Sequence, residues 1–275
     1  MRVLLIGFFI LTVQAVSCHA QPESGGTDIA PDLETLLSVH ERFVYNVRYG
    51  FLNLGEIEVE LLPDTTYQGK RVLHMRTVMR SNSSIPFVGR RNVHYQNFFD
   101  YSDDKLYSYI FWRDDLHDEE YERYKIVFDR EEHLVFFFER GEAQDTLDLI
   151  EPASGGDVVF FYSRMFAGLE EPYELPVYIA GERGLVTAFS SSETETRSYD
   201  AFPRPVETYK SEGTADIDGP FGFTGRFRSW FTADELRLPV EAHVRVVFGN
   251  VKVRLISYEQ IEERTTNNIS ETESR

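Results

Sequence analysis

From Glu41 almost to its end, the chain alternates apolar and polar residues with a period of two. Only an extended strand sends successive side chains to opposite faces, so this pattern commits the chain to β structure. Phe43, Tyr45, Val47 and Tyr49 share one face and Asn46 and Arg48 the other; Ile57, Val59 and Leu61 then alternate with Glu56, Glu58 and Glu60. Leu73, Met75, Thr77 and Met79 alternate with His74, Arg76 and Arg80, and further strands are predicted near residues 92–99, 106–112, 121–128 and 133–138. Turn residues at Pro63-Asp64, Gln68-Gly69, 102–104 and Asp129-Arg130 separate these runs, which is the spacing of an antiparallel meander.

Residues 157–167 interrupt the alternation. Asp157 can cap a helix in which Val158, Phe161, Tyr162, Met165 and Phe166 fall on one face before Gly168 ends it. Strands then resume at 173–179, 185–189, 193–199, 206–212, 224–231, 240–248 and 251–258, the last two joined by a hairpin at Gly249-Asn250. No linker and no repeat divides the chain. The expected organisation is a leader over 1–20, a flexible tether over 21–40, one β domain over 41–260 and a disordered polar tail over 261–275.

The leader follows the order of a secretory signal: Arg2, an apolar run from Val3 to Val13, then small residues. Two cleavages compete. Ala15-Val16-Ser17-Cys18 resembles a lipobox, which would make Cys18 a lipidated N-terminus; Cys18-His19-Ala20 before Gln21 resembles an ordinary signal-peptidase site. Both predict export to the periplasm or an outer-membrane-associated location. The apolar run is shorter than the roughly 20 residues of a spanning helix, so no transmembrane span is expected.

Charge narrows the partners. With 46 acidic against 28 basic residues the formal charge is −18, and no basic stretch compensates for it. Nucleic acid and anionic membrane surfaces are both disfavoured on that balance. A single cysteine excludes an internal disulfide and a cysteine-rich zinc site. The 22 Phe and 15 Tyr, by contrast, suffice for a large core.

Residues 229–240, SWFTADELRLPV, carry a family resemblance. An aromatic-led strand, a turn with an Asp and then Arg-Leu-Pro-Val is similar to the closing signature of the bacterial envelope family catalogued as domain of unknown function 3108. FVYNVRYGFLNLG, which ends at Gly55, resembles that family's opening strand, and Gly156-Asp157 with Phe160 to Tyr162 and Arg164 resembles its short helix. The resemblance spans about 41–258. It implies an exported all-β protein, a strongly curved antiparallel sheet or open β-barrel with one short helix. It supplies no activity and no catalytic residues.

The chemical motifs are few. The acidic run Asp114, Asp115, His117, Asp118, Glu119 and Glu120 could hold a cation, but its spacing is not that of a calcium loop, and a solvated turn explains it. His94 and His243 fall on polar strand phases, and a hydrolytic site would require them to converge with Asp114 and His117. No nucleophile elbow, Walker loop or HExxH motif is present, so neither a catalytic residue nor a cofactor is expected. The expectation is a non-enzymatic protein holding a lipid or other apolar ligand, with Phe136, Phe138, Phe161, Tyr162 and Met165 lining the cavity. The alternative is an envelope assembly or interaction protein that docks a protein partner through its sheet edge or acidic face.

Overall fold

A computed structural model describes residues 30–85, 89–116, 123–179, 181–217, 225–246 and 249–263. Among them are a one-turn helix α1 (Leu33–Leu37) and the strands β1 (Val39–Tyr49), β2 (Leu52–Tyr67), β3 (Lys70–Ser81), β4 (Asn92–Ser102), β5 (Lys105–Asp115), β6 (Arg123–Asp129), β7 (Leu134–Glu139), β8 (Glu142–Asp148) and β9 (Ser154–Gly155). A 3-10 turn (Gly156–Val158) leads into helix α2 (Val159–Phe166). There follow β10 (Pro172–Ile179), β11 (Glu182–Arg197), β12 (Val206–Ala215), β13 (Gly225–Thr232), β14 (Pro239–Val246) and β15 (Gly249–Glu263).

All fifteen strands form one sheet, in the order β8-β7-β6-β5-β4-β3-β2-β1-β15-β14-β13-β12-β11-β10-β9. Two meanders are therefore joined where the last strand returns to pair antiparallel with the first. Only the β9–β10 pair is parallel. Several hairpins close through positive-φ pairs, Gln68-Gly69, Asp103-Asp104 and Arg140-Gly141, whose twist matches that of the flanking strands.

The two ends of the sheet overlap instead of pairing. Backbone N–H of Ser108 donates to Ala153 O at 3.1 Å, and Gly155 N–H donates to Ser108 Oγ at 3.1 Å, so the β9 edge lies against the inner face of β5. Tyr178 of β10 packs there against Phe128 and Phe137, within a satellite core that includes Phe111, Ile126 and Val135. The main core fills the curl between β1–β4 and β10–β15 and includes Phe43, Leu61, Phe99, Phe161, Leu175 and Val240. The result is an antiparallel sheet, as the alternation predicts, with the curved, open, barrel-like form that the family resemblance implies.

Several boundaries differ from the sequence reading. Pro63-Asp64 is a bulge inside β2, and β11 is one strand with a bulge after Ser190. Arg245 pairs with Asn250 and Val246 with Gly249, so both residues of the expected Gly249-Asn250 turn belong to β15. The tether expected over 21–40 is packed from Asp32 onward. The Asp32 side chain accepts from Thr35 N–H at 2.7 Å, and Leu33, Leu36 and Leu37 of α1 are buried. The apolar spacing of those three leucines on one helical face is the reason. The leader, with Cys18, and the tail beyond 263 lie outside the described residues.

Part of the acidic outer phase of β2 is withdrawn from solvent. Glu58 and Glu60 are buried among Arg42, Arg76 and Arg80 of the neighbouring strands, with Arg42 and Arg80 each 3.2 Å from Glu58. Burial alone would raise the Glu58 carboxyl, but its hydrogen bonds to the two arginines hold it below the usual range.

Candidate ligand cavity

Inside the curl lies an apolar cavity of about 300 Å³. This is the lower end of the size range of small-molecule sites, ~300–1,000 Å³. The inward phase of the strands builds its walls: Tyr45 from β1, Ile57 and Val59 from β2, Tyr173 and Val177 from β10, Phe227, Ser229 and Phe231 from β13, Ala242 and Val244 from β14, and Val253 from β15. One side of α2 closes it with Val159, Phe160 and Ser163. Space remains because several inward positions carry small side chains, Gly156, Ser163, Ala215, Ser229 and Ala242, where a large residue would fill the interior.

Few polar groups face this space. The Tyr45 hydroxyl donates to Pro239 O at 2.7 Å. Burial pushes its pKa well up, the positive Arg164 pulls it down and the charge of Glu41 adds to the rise. Burial likewise raises the Tyr173 hydroxyl. Neither phenol is suited to act as a base, and the walls fit a hydrocarbon chain or ring system better than a polar substrate.

Two buried polar pairs hold α2 in place. On one side Arg164 and Glu41, both fully buried, are joined by two hydrogen bonds of 2.6 and 3.2 Å. Arg164 Nε also donates to Leu236 O at 2.9 Å, and the Tyr258 hydroxyl donates to Glu41 Oε1 at 2.9 Å. On the other side Asn97 Nδ2 donates to Asp157 Oδ1 at 2.7 Å. Asp157 is half-buried as a residue, yet its Oδ2 is closed off from solvent and has no hydrogen-bond partner, as is Oδ1 of Asn97. Burial raises the Asp157 carboxyl to about 6, against the lowering effects of the Asn97 bond and of the backbone N–H groups of Asp157 and Val158. Asp157 does not cap α2, whose N-cap position is Val158 without a side-chain hydrogen bond.

The five side chains expected to line the cavity fall elsewhere. Phe136 and Phe138 occupy the outer phase of β7, where Lys125 Nζ lies 4.2 Å from the Phe138 ring centre; their buried neighbour Phe137 points inward. Phe161 packs under the Arg164 guanidinium, Tyr162 lies tilted against Phe166 and edge-to-face with Tyr173, and Met165 packs on the main core. Helix α2 does reach the cavity, but through Val159, Phe160 and Ser163. The signal that marks the site is the run of small residues on inward strand phases, not the aromatic clusters.

Among the described residues the cation candidates do not gather at one site. His94 faces Asp114 across β4–β5, while His243 lies on β14 and bonds to Glu241 at 2.6 Å. His117 to Glu120 lie outside the described residues, and among those described no cluster of three or more His, Cys, Asp and Glu could hold a metal ion. No described helix is long and apolar enough to cross a membrane.

The family model described as protein of unknown function (DUF3108) matches residues 44–256. No curated protein sequence matches the chain. Among solved structures it is similar to a beta-barrel-like protein of domain of unknown function DUF1849 from Brucella abortus, at TM-score 0.50 and 11% identity, over 82% of this chain and 99% of that one. A candidate exported protein with YmcC-like fold from Bacteroides fragilis aligns at TM-score 0.37 and 11% identity, over 84% and 99% of the two chains. A candidate lipoprotein from Parabacteroides distasonis aligns at 0.36 and 8%, over 81% and 96%. At such identities the likeness is one of fold alone, and it rests on the first of the three.

Proposed function

This chain belongs to the family of proteins of unknown function DUF3108, and from that premise we propose that it is an exported, non-catalytic carrier that holds one apolar molecule, such as a lipid acyl chain, inside its barrel. The observation that carries the reading is the cavity of about 300 Å³ with almost wholly apolar walls, set inside the main core. A hydrocarbon gains by leaving water for such a space and needs no charged or catalytic partner there. The secretory pattern of the leader supports export, and the Ala15 to Cys18 segment keeps open a lipid anchor on Cys18. Docking of a protein partner through the sheet edge is the weaker reading, because edge strand β8 is polar and exposed along nearly its whole length, which discourages strand addition.

Binding of the uncharged apolar dye phenylnaphthylamine, followed by its fluorescence, tests the proposal. The wild type is expected to bind one equivalent. Ser229→Leu combined with Ala242→Phe fills the space and is expected to weaken the dye by roughly tenfold or more while thermal stability holds or rises. Phe136→Ala, on the outer face, is the control expected to bind normally. Undiminished binding in the filled variant would remove the cavity as the site.

A further inference from the structure

Net charge conceals how the cations are distributed. Arg228 on β13 pairs in register with His243 on β14, His243 with Lys252 on β15, and Lys252 with Arg48 on β1, which places four basic residues in one row across adjacent strands on the outer face. Arg226 and Arg245 lie at the same end of β13 and β14. All five Arg and Lys side chains are exposed. Among the described residues none of the five has a carboxylate within ion-pair distance. Glu241 is taken by Arg197, Arg254 and His243; Glu212 bonds to Lys210 and, opposite Arg228 in register, has its pKa also held down by the charges of Arg228 and Arg226. Four of the five, with His243, line an outer groove of about 1010 Å³ whose carboxylates, Glu174 and Glu212, belong to β10 and β12.

Cations set side by side repel one another, and Glu212, which pairs in register with Arg228 and feels the charges of Arg226 and Arg228, is the carboxylate that faces this row, so the surplus of positive charge favours an anionic partner. The adjoining β1–β2 turn supplies a second, independent observation. Phe51 at its tip is 89% exposed, the highest value among the large apolar residues described, and Tyr49 beside it is 38% exposed and packs over Gly249. An exposed aromatic tip flanked by guanidinium and ammonium groups matches the two layers of a phospholipid surface, acyl boundary and phosphate.

We infer that this end of the barrel docks on a membrane surface containing anionic phospholipid, with Phe51 and Tyr49 entering the headgroup layer and Arg48, Arg226, Arg228, Arg245 and Lys252 meeting the phosphates. The surface goes beyond the carrier reading and uses residues other than the cavity walls. The two are related in space. Ala215, Phe227, Val244 and Val253 of the cavity belong to the same ends of their strands, so a docked barrel presents that part of its interior toward the lipid.

Co-sedimentation of the purified protein with vesicles tests the docking. One set is phosphatidylcholine alone, the other contains about one third phosphatidylglycerol, and the anionic-to-neutral binding ratio is read. The wild type is expected to prefer anionic vesicles and to lose that preference as salt is raised. Arg226→Gln with Arg245→Gln and Lys252→Gln is expected to lower the ratio on the order of a hundredfold, since each basic residue near such a surface contributes about fivefold. Phe51→Ser is expected to weaken binding to both vesicle types by roughly tenfold. These side chains are exposed, and circular dichroism checks that the variants fold. A wild type without anionic preference, or a triple variant with an unchanged ratio, overturns the inference. Salt-sensitive binding of soluble polyphosphate that the triple variant loses, with vesicles ignored, overturns it too by assigning the cations to a soluble anion. Dye binding in the same variants reports the cavity separately, so either idea can fail without the other.

Discussion

Arg164→Ala is expected to cost about 3–5 kcal/mol of unfolding free energy, more than most single substitutions elsewhere in the chain. The guanidinium is fully buried and meets Glu41 Oε2 at 2.6 Å, Glu41 Oε1 at 3.2 Å and Leu236 O at 2.9 Å. Removing it leaves the Glu41 carboxylate buried, with a hydrogen bond from the Tyr258 hydroxyl but no neutralising charge. An unpaired charge in a dry interior loses its hydration and gains nothing in return. Arg164→Lys is expected to rescue little, because an ammonium cannot reproduce the planar fork that serves both carboxylate oxygens and the Leu236 carbonyl. Replacing both partners, Glu41→Leu with Arg164→Met, is expected to restore most of the loss, since no charge is then stranded. An exposed pair provides the contrast: Arg71 lies 2.7 Å from Asp64, but its side chain is 68% exposed. Arg71→Ala is accordingly expected to cost less than about 1 kcal/mol. Urea midpoints of the four variants measure this directly. An Arg164→Ala protein with the wild-type midpoint would mean that the pair does not hold α2 against the barrel.

The second large effect is a pH dependence at Asp157. Its folded carboxyl is raised to about 6 from an ordinary 3.8, with burial as the main cause. The folded state therefore binds the proton more tightly than the unfolded chain, and stability from this group falls as pH rises from about 3.8 through about 6. Above that range the cost is complete and amounts to no more than about 3 kcal/mol. The geometry agrees, because Asp157 Oδ2 and Asn97 Oδ1 are both closed off from solvent without a full hydrogen bond, and the nearby backbone N–H groups of Asp157 and Val158 offset only part of the burial. A proton on Asp157 adds a donor at the site. Asp157→Asn is neutral at every pH and keeps an oxygen to accept from Asn97. It is expected to match the wild type near pH 4 and to exceed it at pH 7.5 by up to about 3 kcal/mol. Urea unfolding of both proteins at the two pH values reads the difference, in which other titrating groups cancel. A difference that does not change with pH would place the charge of Asp157 in contact with solvent.

Strands with one clean apolar phase were legible in the sequence. In β1, β2 and β3 the alternation of Phe43, Ile57 and Met75 with polar neighbours corresponds to core and outer faces. Strand β8 escaped because EAQDTLD is polar on both phases, as an unpaired edge can be. Pro63-Asp64 has the composition of a turn, but pairing resumes beyond it, and the local residues do not encode that continuation. The site was harder to read than the fold. Phe136, Phe138, Phe161, Tyr162 and Met165 draw attention as bulk, whereas a cavity exists where bulk is missing, at Ala215, Ser229 and Ala242. Only the sheet order brings those positions together, through β12, β13 and β14 as neighbours. The basic row has the same origin. Arg48, Arg228 and Lys252 are far apart in sequence and become adjacent through strand register, so a scan for a basic stretch passes over them.

Native mass spectrometry of the protein isolated from its own cells, without detergent, tests the carrier proposal most directly. The account predicts a species heavier than the processed polypeptide by one small hydrophobic molecule, lost in the Ser229→Leu, Ala242→Phe variant. The same spectrum reads the N-terminus, distinguishing a lipidated Cys18 from a chain that begins at Gln21. Wild-type protein that carries no added mass, and stays empty after incubation with lipid extract from the same cells, would contradict it.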